Sequence, residues 1–541
     1  MLFAACCRLM TETMADVPKT ASTNTVSPNR ATRRYNAMTS NPYMGASDKR
    51  SLVGWNTFFG DADAETLLSL QTLRDRSRDL CRNAPAAIGA IEKLVAGVIG
   101  SGLRLQASID RQYLGLSEEA AQAWQEKAQY EFRIWAESKD CDYMRQLNFV
   151  GLQRLAFRSK LTSGDCFVLL PYKKNEPMPY NLRVQLIEAE RVVNDRDLPD
   201  TAEIAGGIER TTTGIPTAIF VRTPHPGASF FSHNKITPVW KRIMIYGNKT
   251  GRRNVLHLID VARIGQTRGV PILAPVIDTL RQISKYSEAE LSAALVNAML
   301  AVYIERPTDD PANGIQPWDE DEKGTPPWER EDNYRLGTGT WINGAPGEKL
   351  QVVNANRPSD HFDPFFLACI KQIGMALGIP FEVLISHFSS SYSASRAALL
   401  EFYDTVLRMR DDFADNFNQP IYEEFLAEAI MLGRLRAPGF FTDPKVRLAY
   451  SGAYWVGDSQ KQIDEVKEAT AANIRIKGFT SSLQIECSKR GLDYKDILEQ
   501  RSKEKKLAEE LGLLPEYEAG FGLVSNTHLA NIGGNDDKEA A

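Results

Sequence analysis

Between Asp63 and Gly100 apolar side chains return every three or four positions, the spacing that keeps them on one face of a helix. Ala64, Leu67, Leu68 and Leu70 lead to a break at Pro85, after which Ile88, Ile91, Leu94, Val95 and Val98 resume the pattern until Gly100-Ser101-Gly102 stops it. A further helix is predicted from Ser117 to Trp135, with Ser117 as its cap and Glu118 and Glu119 in the first turn, where the helix dipole favours carboxylates. Leu147 to Lys160 is predicted helical as well. The period then changes. Cys166–Leu170, Leu182–Ile187, Ile204–Glu209, Ala218–Val221 and Val255–Ile259 are short runs rich in β-branched and apolar residues, separated by Gly, Pro and Asn, and are predicted strands. The first half therefore reads as an α+β domain.

Longer rods follow. Leu280, Ile283, Ser287, Leu291, Ala294 and Ala298 form one stripe of a helix predicted from Ile272 to Ala301, roughly 40 Å long at the usual rise per residue. From Val302 to Arg357 the pattern dissolves into Pro, Gly and Trp around the acidic run Asp319-Glu320-Asp321-Glu322, and Asn343-Gly344 signals a tight turn. Asp363 is placed to cap a second rod with Pro364 at its first position, striped by Phe362, Phe366, Ile370, Ile373 and Leu377. A Ser-rich loop comes next, and a long helix is predicted from Ser395 through Leu399, Phe402, Val406, Met409, Phe413 and Phe417. Pro420 should kink it, because proline has no N–H and its ring clashes with the carbonyl of Asn416. Beyond Gly457 three charged helices are expected at 458–475, 480–490 and 493–511. Residues 11–50 and the last Gly/Asn/Asp-rich residues read as polar tails, with a basic cluster at Arg30, Arg33 and Arg34.

Composition narrows the function classes. A chain of 541 residues needs several packed modules, and 43% hydrophobic with 25% charged residues is the balance of a globular protein. The net charge of −5 argues against a protein that grips nucleic acid over its whole surface, since phosphate binding needs a basic face. The cysteines at 6, 7, 81, 141, 166, 369 and 487 show no Cys-x-x-Cys spacing, so neither a zinc site nor a disulfide framework is expected. Arg8 follows the short apolar stretch at the start rather than preceding it, unlike a signal peptide, and no apolar run is long enough to predict a membrane span.

Catalytic signatures are weak. No Gly-Lys dipeptide occurs, which removes the phosphate loop of a P-loop ATPase. Gly97, Gly100 and Gly102 stand in the wrong order for a dinucleotide fingerprint and read as a helix stop. His225, His233, His257, His361, His387 and His528 form no close pair on a helix face, so no metal or other cofactor is expected. Ser389, Ser390, Ser391 and Ser393 lie near His387, but no Gly-x-Ser-x-Gly elbow surrounds them. A serine hydrolase built on that loop stays as one alternative, and a capsid or scaffold component without a channel as another.

The order Asp360-His361-Phe362, then Met375-Ala376-Leu377-Gly378-Ile379-Pro380-Phe381, then Ser389 to Arg396 opening a long helix resembles the channel region of lambda-family phage portal proteins. The strand series opened by Gly164-Asp165 and closed by Arg268-Gly269-Val270-Pro271 resembles the wing of such proteins. The resemblance implies an α+β portal-type subunit: a disordered arm (1–50), an α/β wing (51–271), a first stem helix (272–300), a β-containing clip (301–357), a second stem helix (358–378), a channel loop with a long kinked wing helix (379–456), an α-helical crown (457–512) and a flexible tail (513–541). It also implies a non-enzymatic homo-oligomer, a dodecameric ring at one capsid vertex of the virion, assembled in the host cytoplasm. Its partners would be the terminase large subunit, the major capsid or scaffold protein, head-tail adaptor proteins and double-stranded DNA without sequence specificity, with no membrane.

By the same resemblance the DNA-channel loop is Ser386, His387, Ser389, Ser390, Ser391, Tyr392 and Ser393, with Arg396 as the cation that follows it. Small hydroxyls there suit contacts to the DNA backbone that carry no sequence information. Twelve copies of −5 would give the ring a charge of about −60, a wall that repels phosphate and lets a duplex slide. Partner docking falls to the clip residues Trp318, Asp319, Glu320, Asp321, Glu322 and Trp328, since aromatics beside charges are typical of interfaces.

Overall fold

The computed structural model describes residues 59–174, 178–230, 237–299, 362–387, 392–458, 465–490 and 494–513. Helix α1 (Ala62–Asn83) starts where the Asp61 carboxylate accepts the Ala64 N–H at 2.7 Å. It ends because Ala84, forced out of the helical region by the proline behind it, is extended, and Pro85 opens α2 (Pro85–Val98). The break read from sequence stands at that residue. The apolar face of α2, Ala87, Ala90, Ile91, Leu94, Val95 and Val98, is buried. Then come β1 (Arg104–Ala107), the short α3 (Arg111–Leu114), α4 (Glu118–Glu137, capped by Ser117) and α5 (Phe149–Ser163).

Strand β2 (Asp165–Leu169) lies between β3 (Gln185–Ile187) and β8 (Val255–Ile259), antiparallel to both. Side chains alternate across a strand, and here both faces are covered. Cys166 and Val168 enter the main core, while Phe167 enters a second, smaller core with Ile187, Val192, Ile208, Ile219, Val221 and Val255. That is why β2 reads as an unbroken apolar run. The second sheet is an antiparallel meander of β4 (Ile204–Ala205), β5 (Ile208–Arg210), β6 (Pro216–Thr223) and β7 (Val239–Met244). The single strand expected at 204–209 is in fact the hairpin β4–β5, turned at Gly206-Gly207, both with positive φ. Of the expected run Leu182–Ile187 only the last three residues form a strand, and β7 was not anticipated.

The two ends of the strand series are locked together by charge. Asp165 is fully buried and receives Arg74 Nη2 at 2.8 Å, Arg268 Nε at 2.6 Å and His257 Nε2 at 3.3 Å. Arg268 spends its other donors on the carbonyls of Val192, Gly206 and Ala189 at 2.8, 2.6 and 2.6 Å. One guanidinium thus ties β2 to the segments that lead into and out of the second sheet. Burial alone would raise the Asp165 pKa, but Arg268 and Arg74 hold it far below the carboxylate range. Burial also lowers His257, against the pull of Asp165. The backbones meet here too: a Cβ on Gly164 would stand 2.4 Å from the Gly269 carbonyl oxygen, and one on Gly269 2.0 Å from that of Gly164. No side chain fits at either position.

Helix α6 (Ile277–Met299) and α7 (Phe362–Leu377) are the expected rods, with α7 starting one residue before Asp363, so that Asp363 lies in its first turn. The chain continues through α8 (Phe381–Ile385), α9 (Tyr392–Phe413) and α10 (Gln419–Met431). Between α9 and α10, Ala414–Asn418 form a π turn in which the Gln419 N–H reaches the Ala414 carbonyl. The widened turn is how the helix accommodates Pro420. It also stacks Phe413 on Phe417, centroids 4.9 Å apart, and Phe417 on Phe149 at 5.8 Å.

Past α11 (Pro444–Ser451), β9 (Ala453–Val456) pairs antiparallel with β1, with Arg104 opposite Val456. Helices α12 (Glu465–Lys477), α13 (Leu483–Lys489) and α14 (Tyr494–Glu510) complete the described chain near the expected positions. A single core gathers residues from Leu80 to Tyr450, so α2, α4, α5, α6, α7 and α10 share one interior. At its centre Phe132 touches five rings, Trp135, Phe149, Tyr422, Phe425 and Trp455, at 5.2–5.8 Å.

Candidate functional site

Two successive helix endings shape the segment singled out by sequence. At the end of α7, Gly378 is left-handed (φ +67) and the Ile379 N–H reaches back to the Gly374 carbonyl at 2.8 Å, a Schellman closure. Ile379 is thereby buried and Pro380 becomes the cap of α8. Helix α8 ends in the same way eight residues later: Ser386 is left-handed (φ 55, ψ 34), and the His387 N–H reaches the Glu382 carbonyl at 3.1 Å. Val383 anchors α8 in the core, and the Lys371 ammonium lies 5.2 Å from the Phe381 ring centroid. Both α8 and α9 pack on α2.

The predicted site residues fall as follows. Ser386 and His387 are exposed at the end of α8. Tyr392 and Ser393, expected in the loop, are the opening residues of α9, which begins three residues earlier than Ser395. Arg396 is exposed on its first turns, next to the buried Ser395. Ser389, Ser390 and Ser391 lie outside the described residues, as do Trp318, Asp319, Glu320, Asp321, Glu322 and Trp328. The short helix α8 occupies what sequence treated as open loop.

One contact was not foreseen. Lys93, half-buried on α2, donates from Nζ to Ser386 Oγ at 2.6 Å. Its neighbour Glu92 is engaged by Arg158. A lysine in a mostly apolar helix is the available signal, but nothing in the sequence names its partner. An ammonium donating to a hydroxyl does not activate that hydroxyl as a nucleophile, which requires a base to take its proton. Burial pushes the Cys141 and Cys166 thiols up to about 12, so neither supplies a thiolate at neutral pH.

The far end of α2 is held as firmly. Arg410 on α9 donates to the Val98 and Gly97 carbonyls at 3.0 and 2.9 Å, and Arg154 to the Gly100 carbonyl at 3.0 and 2.6 Å. These guanidinium groups satisfy the last carbonyls of the helix and complement its dipole. Asp458 accepts the Ser101 N–H at 2.7 Å. Among the described residues no group of three or more His, Cys, Asp or Glu is arranged to hold a metal ion, and no helix is long and apolar enough to cross a membrane.

Comparison with known proteins supplies the family. The family model for phage portal proteins of the lambda family matches residues 48–410, more than half of the chain and including α7, α8 and most of α9. Portal protein B of Escherichia phage lambda is 24% identical over 507 residues, covering 91% of this chain and 94% of the relative. The portal protein of Escherichia phage N15 is 25% identical with the same coverages, and a probable portal protein of Halomonas phage phiHAP-1 is 22% identical, covering 89% of each. Among solved structures, a chain from the virion of a native gene transfer agent particle matches with a TM-score of 0.37 and 12% identity, covering 77% of this chain and 92% of that one. A chain from the neck of an empty gene transfer agent particle matches at 0.34 and 13%, covering 78% and 93%. With the family pattern running through both the strand series and the double helix ending, the chain belongs to the lambda family of phage portal proteins.

Proposed function

We propose that this chain is the subunit of a ring at one vertex of a phage capsid, through which double-stranded DNA enters on packaging and leaves on ejection. The observation that carries the reading is the family match across residues 48–410, which includes both supports of the loop from Ser386 to Arg396. In this reading the chain divides into the arm, wing, stem, clip, long helix, crown and tail at the boundaries given above. The terminase large subunit and the head-tail adaptors dock on the clip, and the capsid or scaffold protein surrounds the ring. Its role is structural, as in the family, and DNA is contacted through its backbone without base readout.

Electron microscopy of the purified protein tests the assembly. The expected particle is a closed ring with a central opening wide enough for duplex DNA, and twelve chains of 60.4 kDa give it a mass of about 0.7 MDa. A compact dimer without an opening would overturn the reading. Arg396 follows the hydroxyl-rich loop as an exposed cation at the start of α9. Arg396→Ala is expected to lower the yield of DNA-filled heads while rings still assemble, and unchanged packaging would remove Arg396 from the channel.

A further inference from the structure

We infer that Lys93 is a positioning residue that holds the root of the channel loop by fixing Ser386 in its left-handed conformation. The loop's function rests on the portal reading; the positioning itself does not. The left-handed region is unfavourable for a residue with a Cβ, and helix endings of this form normally use glycine, sometimes asparagine. At the end of α7 the chain follows that rule with Gly378, but at the end of α8 it places a serine. The closure depends on that conformation, because only then can the following N–H, that of His387, turn back to the Glu382 carbonyl at 3.1 Å.

What accompanies the exception is the Lys93 bond. It comes from a helix 293 residues earlier and meets the hydroxyl at 2.6 Å. Both partners are carried by packed elements, α2 and α8, so the bond relates two fixed supports. Glu92, the carboxylate beside Lys93, is already engaged by Arg158. The serine hydroxyl supplies what a glycine could not: an acceptor through which a distant helix specifies the exit direction of the loop.

Hydrogen exchange on the full-length chain reads this directly at the His387 amide, whose bond to the Glu382 carbonyl spans Ser386. Lys93→Ala is expected to lower its protection roughly 3- to 10-fold, the range for loss of one hydrogen bond, with the rest of the chain unchanged. Adding Ser386→Gly to Lys93→Ala is expected to restore protection, because glycine adopts the left-handed conformation without help. DNA packaging should follow the same order, impaired in Lys93→Ala and recovered in the double variant. Unchanged exchange in Lys93→Ala overturns the inference. So does packaging that Lys93→Arg restores and Ser386→Gly does not, which would make Lys93 a charge rather than an anchor. Exchange needs neither ring nor DNA, so it decides the positioning role even if a wild-type chain that failed to package sank the portal reading.

Discussion

Asp165→Ala is expected to lower the free energy of unfolding by about 3–5 kcal/mol, the usual cost of removing one partner from a buried ion pair. The carboxylate is fully buried, and its two guanidinium partners, Arg74 and Arg268, have only 4% and 2% of their side chains exposed. Without Asp165 two cations remain in a space that water does not reach, and the carbonyls bonded to Arg268 do not neutralise it. Asp165→Asn keeps the shape but presents an amide to a guanidinium, so it should fall between the wild type and alanine. Urea midpoints at neutral pH measure both. A loss below about 1 kcal/mol for alanine would mean that the apolar cores, rather than this charge, hold the strand series together.

The same network sets the direction of pH sensitivity. His257 has a lowered pKa in the folded chain, so below its ordinary value of 6.5 the unfolded chain binds a proton that the folded one resists. Stability is therefore complete above 6.5 and declines as the pH falls through that value. Asp165 adds a second loss below its ordinary 3.8, because its folded pKa is also lowered. Both groups favour the fold at neutral and mildly alkaline pH. His257→Phe should flatten the upper part of the acid limb while preserving the stack on Phe167, which now stands at 4.2 Å.

Phe132→Ala is the second large effect, about 3–5 kcal/mol for deleting a buried aromatic and leaving a cavity. Phe132 is 4% exposed, and its five ring neighbours come from α4, α5, α10 and β9. Edge-to-face contacts add to its burial, so the loss belongs at the upper end of the range. Thermal melts followed by tryptophan emission should show a lower midpoint. The emission should also shift to the red in the folded state as Trp135 and Trp455 lose their shared neighbour. A variant that melts like the wild type would show that the cavity collapses without cost.

Local signals carried much of this fold into the sequence. The Pro85 break, the Ser117 cap and the apolar run of β2 each rest on a few adjacent residues, and each is found. Pairings across long separations were not legible. Strand β1 is four residues with ordinary composition, and nothing in it names β9. Gly206-Gly207 lies inside an apolar stretch that reads as one strand, although two glycines in succession are a turn signal. Pro420 announced an irregular helix, but whether it kinks or widens depends on the aromatic packing around Phe413 and Phe417. At the candidate site the order of helix, loop and helix was legible from Gly378-Ile379-Pro380 and the serines. Helix α8, the early start of α9 and Lys93 were not, because they depend on α2 lying beneath them.

The pairing of β1 with β9 sets the order in which this protein can be finished on the ribosome. Phe132, Trp135 and Phe149 are translated long before Phe417, Tyr422, Phe425 and Trp455, and everything from α6 to α9 is synthesised in between. Until Val456 emerges, the early aromatic face is bare and the edge of β1 has no partner among the described strands. A nascent chain that stops short is therefore sticky rather than merely shorter. Emergence of β9 is therefore the event that closes the core, and a copy cut short of Val456 leaves the early aromatic face without its cover.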